Sequence, residues 1–236
     1  MKLTYIYHSG FAIEGDELTI IIDYFRDTPD KWVTGTLLKR PGALYVLATH
    51  AHGDHFNKRI LEWKQQRSDI RYIFSSDILE AGKAREGDAV YLGKSDIYED
   101  ALIRVQAFGS TDIGVSFLIE AEGKKVFHAG DLNNWHWRDE STPEESAGYE
   151  AAFLKEIDEL ARNTDRLDLA MFPIDPRLGK DYMRGAQQFI DLIRVDWFVP
   201  MHFGTAYDKA NAFRAYAHSK GTRFFELNRE GQSMDF

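Results

Sequence analysis

Short apolar or alternating runs dominate the first half of the chain, and longer runs with helical spacing enter in the second. Residues 3–7 and 11–13 read as paired strands about Ser9-Gly10, and 18–24 follow as a third strand behind Glu14-Gly15-Asp16. Within that strand, the run from Leu18 to Ile22 is apolar on both faces, which predicts burial from both sides. The stretch 26–42 is polar and carries Pro29, Gly35, Pro41 and Gly42, so a connection with one short helical turn is expected. Residues 44–48 predict another buried strand. In 56–66 the apolar Phe56, Ile60, Leu61 and Trp63 fall at helical spacing, which predicts a helix whose positive end favours anionic groups near its start. Strands are expected at 70–75, 89–92, 97–100 and 101–108, a short helix at 77–84, and a hairpin from 115–121 and 125–128 across Glu122-Gly123-Lys124.

The polar, irregular stretch 133–146 carries Trp135-His136-Trp137 and has the character of an active-site loop. Residues 144–163 predict the longest helix, with Tyr149, Phe153, Leu154, Ile157 and Leu160 or Ala161 on one face. Strands at 167–173, 197–201 and 223–227 then alternate with helices at 184–193 and 208–219. This order predicts a mixed α/β (α+β) fold. Without low-complexity segments or a linker, one domain over 1–236 is expected. Each half ends an apolar strand in a histidine, at Thr49-His50 and Met201-His202, a weak echo of an internal duplication.

Composition narrows the function. A content of 44% hydrophobic residues is enough for a substantial core, and 29 basic against 38 acidic residues leave a net charge of −9. That balance disfavours nucleic acid and anionic membranes as partners, so a small-molecule substrate is expected. No run of 18 apolar residues predicts a membrane span, and residues 1–8 lack the apolar core of a secretion signal. The absence of cysteine removes disulfides, thiolate ligands and thiol nucleophiles, and fits a cytoplasmic location.

The 44–48 strand empties into His50-Ala-His52-Gly-Asp54-His55, four potential metal ligands within six residues. From composition alone this pattern has roughly one chance in a thousand in such a chain, so metal binding is favoured over a merely histidine-rich loop. Imidazole and carboxylate donors suit zinc first, as one or two ions, with manganese or iron as alternatives. In extended chain His50 and His52 share a side and can address one ion, while Gly53 permits a turn that swings Asp54 and His55 toward a second. No Gly-x-Ser-x-Gly elbow, Walker loop or Gly-x-Gly-x-x-Gly fingerprint competes.

These motifs resemble the metallo-β-lactamase-fold hydrolases over nearly the whole chain. The 50–55 loop is similar to the family's defining loop, His128-Ala-Gly-Asp131 to the strand that delivers a metal-bridging aspartate, and Pro200-Met-His202 to its last histidine ligand. Tyr7-His8-Ser9-Gly10-Phe11 followed by Ile22-Asp23 resembles the start of the ascorbate-phosphate lactonase-like branch. The resemblance implies a four-layer αββα sandwich with a site at one edge, metal ligands His50, His52, Asp54, His55, Asp131 and His202, and hydrolysis of a small ester, lactone or phosphoester. Asp54 would both bind metal and orient or deprotonate the water.

One departure stands out: where the family supplies a third histidine for its first metal, this chain reads Phe108 to Phe117 without one, and Ser110 falls in its place. His8, His136, Asp112 or a water are the candidate replacements. His128 reads as a core or outer-sphere residue and His218 as a surface one. Arg177 and Lys180 are candidates for holding an anionic substrate group, against a salt bridge to Asp175 or Asp181. Two other classes remain open. A di-iron redox centre would show iron with a visible absorption band, and a non-catalytic metal or metabolite sensor would bind metal without turnover.

Overall fold

The computed structural model describes residues 1–236. Its strands are β1 (Lys2–Tyr7), β2 (Gly10–Glu14), β3 (Leu18–Ile22), β4 (Ala43–Ala48), β5 (Arg71–Ser75), β6 (Val90–Leu92) and β7 (Ile97–Glu99), followed by β8 (Ile103–Phe108), β9 (Ser116–Ala121), β10 (Lys124–His128), β11 (Arg166–Pro173), β12 (Arg194–Met201), β13 (Arg223–Phe224) and β14 (Ser233–Asp235). The α-helices are α1 (Trp32–Gly35), α2 (Ser76–Glu80), α3 (Pro143–Asn163), α4 (Arg184–Leu192), α5 (Tyr207–Asn211) and α6 (Arg214–Ser219).

The strands form two mixed seven-stranded sheets, ordered β14-β1-β2-β3-β4-β5-β6 and β13-β12-β11-β10-β9-β8-β7. In each, an antiparallel meander leads into parallel strands: β3, β4, β5 and β6 in the first sheet, and β10, β11, β12 and β13 in the second. The duplication hinted at by the two strand-end histidines therefore exists as strand order. The histidines themselves do not correspond, because His50 follows the first parallel partner of its meander and His202 the second.

Period-two geometry explains the wholly apolar strands. In β4, Tyr45 and Leu47 enter a core of 47 buried residues shared by both sheets. Leu44, Val46 and Ala48 enter a smaller cluster of 19 on the outer face, under Val33 of α1 and Ile78 of α2. On the outer side of the second sheet Phe172 stacks on Phe189 of α4 at 4.6 Å, and Phe198 meets Phe213 at 4.7 Å. The result is the four-layer arrangement, helices outside two sheets. Helix α3 starts at a capping box: Thr142 accepts the Glu145 N–H, Glu145 accepts the Thr142 N–H, and Pro143 occupies the first turn, where its missing N–H costs nothing. Phe153, Ile157 and Leu160 are its buried stripe.

Four local expectations differ from the structure. Residues 58–65 form a 3-10 helix, not an α-helix, and none of them lines the main cleft, so no helix end is directed at the site. Asn57 caps that segment by accepting the Arg59 N–H, and its amide bonds the Phe25 carbonyl, which holds the turn away on the outer layer. The last helix is split in two near Ala212–Phe213, where Phe213 buries against Phe198. Strand β14 closes the edge of the first sheet on β1 from a Gly- and polar-rich tail that carries no strand signal. Tyr149 occupies a position on the α3 apolar stripe but is 44% exposed.

Candidate metal centre

The ends of β1, β3, β4, β10, β11 and β12 meet at one edge of the sandwich. Burial in this fold forces abrupt exits there: His8 (φ 58°), Asp23 (φ 48°) and His202 (φ 62°) each follow the last residue of a strand and each adopts the left-handed region. For residues with a Cβ this costs on the order of 1–3 kcal/mol each, a strain sustained only where the surroundings over-determine it. The His202 N–H donates to the His8 carbonyl at 3.2 Å, stitching the two sheets together at this point. Gly114 and Gly130 allow the close approach of the His50 loop. A Cβ on Gly114 (φ 75°) would lie 2.3 Å from the Thr49 carbonyl oxygen, and one on Gly130 (φ 54°) 2.9 Å from Thr49 Cβ. Gly53, in contrast, is outside the left-handed region and a Cβ there would meet nothing, so the loop does not depend on its freedom.

Asp131 sits at the centre. Its Oδ2 lies 3.3 Å from His50 Nε2, and its Oδ1 lies 3.1 Å from His55 Nε2 and 3.3 Å from His202 Nε2. His8 Nε2 is 3.3 Å from Asp54 Oδ2 and joins Asp54, His55 and His202 in one group of donor atoms within 4.8 Å of one another. His50, His55 and Asp131 form a second such group, and His52, Asp112 and Asp131 a third. All six residues singled out from the sequence thus converge. His50 and His52 lie edge to face with ring centroids 4.8 Å apart and fall in different groups, with Asp131 common to both. Asp112, 3.6 Å from His52 Nδ1, stands where a third histidine would be expected, while Ser110 turns its Oγ to the Asp112 N–H. His136 is buried with Nε2 on the Asp181 carbonyl and takes no part. His128 is likewise structural, donating from Nε2 to the Ser9 carbonyl and accepting the Gly130 N–H at Nδ1. His218 is exposed on α6.

The outer hydrogen bonds set which nitrogen of each ring faces inward. Asp23, fully buried, accepts from the Thr49 N–H, from Thr49 Oγ1 and from His55 Nδ1, all at 2.7 Å. Thr49 Oγ1 has spent its proton on Asp23, so it accepts from His50 Nδ1 at 3.0 Å. Asp175 accepts from His202 Nδ1 at 3.0 Å and is clamped by Arg177. Nδ1 of each ring is thereby taken up, and Nε2 is the nitrogen that faces the common space, where a cation could take its lone pair. Ala51, between His50 and His52, is held through both backbone groups: its N–H donates to Asp77 of α2, and Lys83 donates to its carbonyl. Asp77 and Lys83 carry no signal in the sequence; Asp23 enters there only through the Ile22-Asp23 resemblance, and Asp175 only as a salt-bridge partner for Arg177.

Electrostatics follow the geometry. Burial works to raise Asp131, but His202 and His55 hold its carboxyl well below the ordinary range. Burial works to neutralise His55, and the Asp131 and Asp23 carboxylates outweigh it, raising the ring to about 10. The His8 ring, 3.3 Å away, lowers Asp54. Burial lowers His8 itself. Asp175 falls to about 2: burial opposes ionisation, and His202 and Arg177 overcome it.

Donor atoms that converge without pairing are the test of whether this cluster fits a metal. His8 Nε2, His50 Nε2, His55 Nε2 and Asp131 Oδ1 are all buried with no hydrogen-bond partner. Their separations of about 3 Å are ion-pair distances, yet none of the four meets a partner with hydrogen-bond geometry. Four such orphans in one place would each cost on the order of 1–3 kcal/mol if nothing met them. The residues fit a cation with nitrogen and oxygen ligands.

Above the centre is a cleft of about 380 Å³, open to solvent and lined by His52, Asp54, Thr111, Asp112, Asp131, Trp135, Trp137, Tyr149, Arg177 and His202. The 133–146 loop thus contributes its two tryptophans to the wall. Lys180 does not reach it, and Arg177 pairs with Asp175.

Known proteins are similar over most of this chain. A UPF0173 metal-dependent hydrolase of Nanoarchaeum equitans is 27% identical, with 98% of each chain covered. One from Korarchaeum cryptofilum is 26% identical, covering 87% of this chain and 84% of that one. Among solved structures, the metallo hydrolase Igni18 of Ignicoccus hospitalis superposes with a TM-score of 0.67 at 21% identity, covering 100% of this chain and 98% of that one. The diiron β-hydroxylase CmlA of Streptomyces venezuelae gives 0.68 at 13% identity, matching 54% of its own length. The family model described as the β-lactamase superfamily domain matches residues 2–147, more than half of the chain, and the chain belongs to that family, with the metallo-β-lactamase fold.

Proposed function

We propose that the protein is a metal-dependent hydrolase acting on a small ester, lactone or phosphoester. The observation that carries this reading is the set of four buried, unpartnered donor atoms on His8, His50, His55 and Asp131 beneath an open cleft. The relatives named above as metal-dependent hydrolases support it. His50, His52, Asp54, His55, Asp131 and His202 would hold the metal, with His8 and Asp112 completing the two ends of the cluster. Zinc, as one or two ions, suits a donor set of imidazole and carboxylate.

A bound ion of this kind supplies Lewis acidity toward a carbonyl or phosphoryl oxygen and lowers the pKa of water to about 7. Asp54, partly exposed on the cleft floor and kept ionised by His8, orients the attacking water. Water oxygen bonds to the acyl carbon or phosphorus as the bond to the leaving oxygen breaks. Asp54 passes the proton from the attacking water to the leaving oxygen, which departs protonated. Trp135 and Trp137 limit the solvent reaching the centre from one side.

Elemental analysis of protein purified without added metal tests the assignment. About one to two equivalents of a first-row transition metal are expected, mostly lost in Asp131→Ala and Asp54→Ala. Less than about a tenth of an equivalent after reconstitution would sink it. Full occupancy without turnover of any ester, lactone or phosphodiester would mean a binding module instead.

A further inference from the structure

The cleft over the metal centre carries one cation, Arg177, and its arrangement has no structural purpose that uses the whole guanidinium. Nε and Nη2 of Arg177 both donate to Asp175, while Asp175 also accepts from His202 Nδ1 and from the Arg177 N–H. The carboxylate is saturated. Nη1 has no acceptor within the protein, and the side chain is 65% exposed on the cleft wall. A guanidinium pinned along one edge presents its other edge in a fixed plane, the geometry that receives a carboxylate or phosphate through two parallel N–H bonds. Because the pin is shared with His202, the free edge stands beside the reacting centre.

The rest of the wall is aromatic. Trp135 is fixed by its Nε1 donating to the Asp131 carbonyl, and Trp137 stacks on it at 6.1 Å with an interplanar angle of 14°. Tyr149 reaches the same cleft from α3, although its place on the helix would let it face the core with Phe153. Apolar walls with a few convergent polar groups are the usual construction of a small-molecule site.

Resting on the hydrolase reading, we infer that the substrate is a small ester or lactone with an aromatic or planar apolar body and a carboxylate or phosphate group, the anion on the free edge of Arg177 and the body against Trp137 and Tyr149. Asp54, Asp112 and Asp131 outnumber this single guanidinium, which leaves the lining at −2 with neutral imidazoles. A divalent cation brings it to neutrality and a second makes it positive, so anion capture belongs to the metal-loaded protein.

The test uses the full-length metal-loaded protein and two chromogenic esters with the same leaving group, 4-nitrophenyl acetate and mono-4-nitrophenyl glutarate. The carboxylate-bearing ester is expected to be preferred at least about tenfold in kcat/KM, and Arg177→Met to shrink that preference by about tenfold, mainly through KM. A purely structural role for Arg177 would depress both esters alike and leave the ratio unmoved. Calorimetric binding of phenylphosphonate and methylphosphonate supplies a readout without turnover. Arg177→Met should weaken both by about tenfold, whereas Trp137→Ala should weaken phenylphosphonate alone. Equal rates for the two esters, or phosphonate affinities unchanged in Arg177→Met, overturn the inference. If neither ester is turned over but the phosphonate pattern appears, the anion and aromatic subsites stand and the hydrolase reading falls.

Discussion

Replacing Asp23 by Asn should weaken metal binding without touching a proposed ligand. The carboxylate is fully buried and receives three protons: the Thr49 N–H at Oδ1, and Thr49 Oγ1–H and His55 Nδ1–H at Oδ2. Asparagine is the same size but can accept at only one of those positions, so its NH2 must face a donor. If the NH2 takes the Oδ2 place, His55 relieves the clash by moving its proton from Nδ1 to Nε2, the atom 3.1 Å from Asp131 that faces the centre. If it takes the Oδ1 place, it pushes the Thr49 backbone away from the strand that carries His50. Removal of an outer-shell carboxylate typically costs 10- to 100-fold in metal affinity, or about 1.4–2.7 kcal/mol, and here it disturbs two histidines at once. In the metal-free protein, one lost charge-assisted hydrogen bond and one unsatisfied donor together cost roughly 2–4 kcal/mol. At about 2–4 °C per kcal/mol for a chain of this size, the melting temperature should fall by roughly 5–15 °C. A competition titration against a chelating dye measures the affinity, and thermal denaturation of chelator-treated protein measures the fold. An Asp23→Asn protein that binds metal within about threefold of wild type would refute the tautomer argument, whatever its melting temperature.

Two further outcomes follow from the same geometry. Gly114→Ala should destabilise by more than about 2 kcal/mol and lower metal content, because its Cβ meets the Thr49 carbonyl and His50 Cβ at a positive φ, whereas Gly53→Ala should stay within about 0.5 kcal/mol. Chemical denaturation of both variants decides it, and equal costs would contradict the approach of the two loops. His55, raised to about 10 in the metal-free protein by Asp131 and Asp23 against burial, carries both ring protons at pH 7.5. Its folded pKa lies above the unfolded value, so its charge stabilises the empty fold below that value and the contribution is lost as pH rises toward 10. Metal uptake at pH 7.5 should therefore release at least one proton, read from the dependence of calorimetric binding heat on buffer ionisation; uptake without proton release would show that the ring is already neutral.

Residue type and short spacing carried much of the site into view before any fold was known. A strand that empties into His50, His52, Asp54 and His55 is a local feature, and its chemistry is set by donor type. The strand pattern was readable for the same reason: alternation is written into neighbouring residues, and the doubly buried β3 and β4 show it as unbroken apolar runs. The misread helix at 58–65 shows the limit. Its apolar spacing suits either helical form, and anchoring by Asn57 and packing of Trp63 against Tyr24 select the tighter one.

Tertiary structure alone decided how those donors are shared and held. Asp23 and His55 lie 32 positions apart, Asp175 and His202 lie 27, and Asp131 meets His50, His55 and His202 only because β4, β10 and β12 end at the same edge. Nothing in the local pattern says that His8 belongs with Asp54, that Asp112 faces His52, or that Tyr149 leaves its helix stripe for the cleft. The reason is physical: ligand chemistry resides in a side chain and its neighbours, but the direction of each lone pair is set by a hydrogen-bond partner that only the packing of two sheets brings within reach.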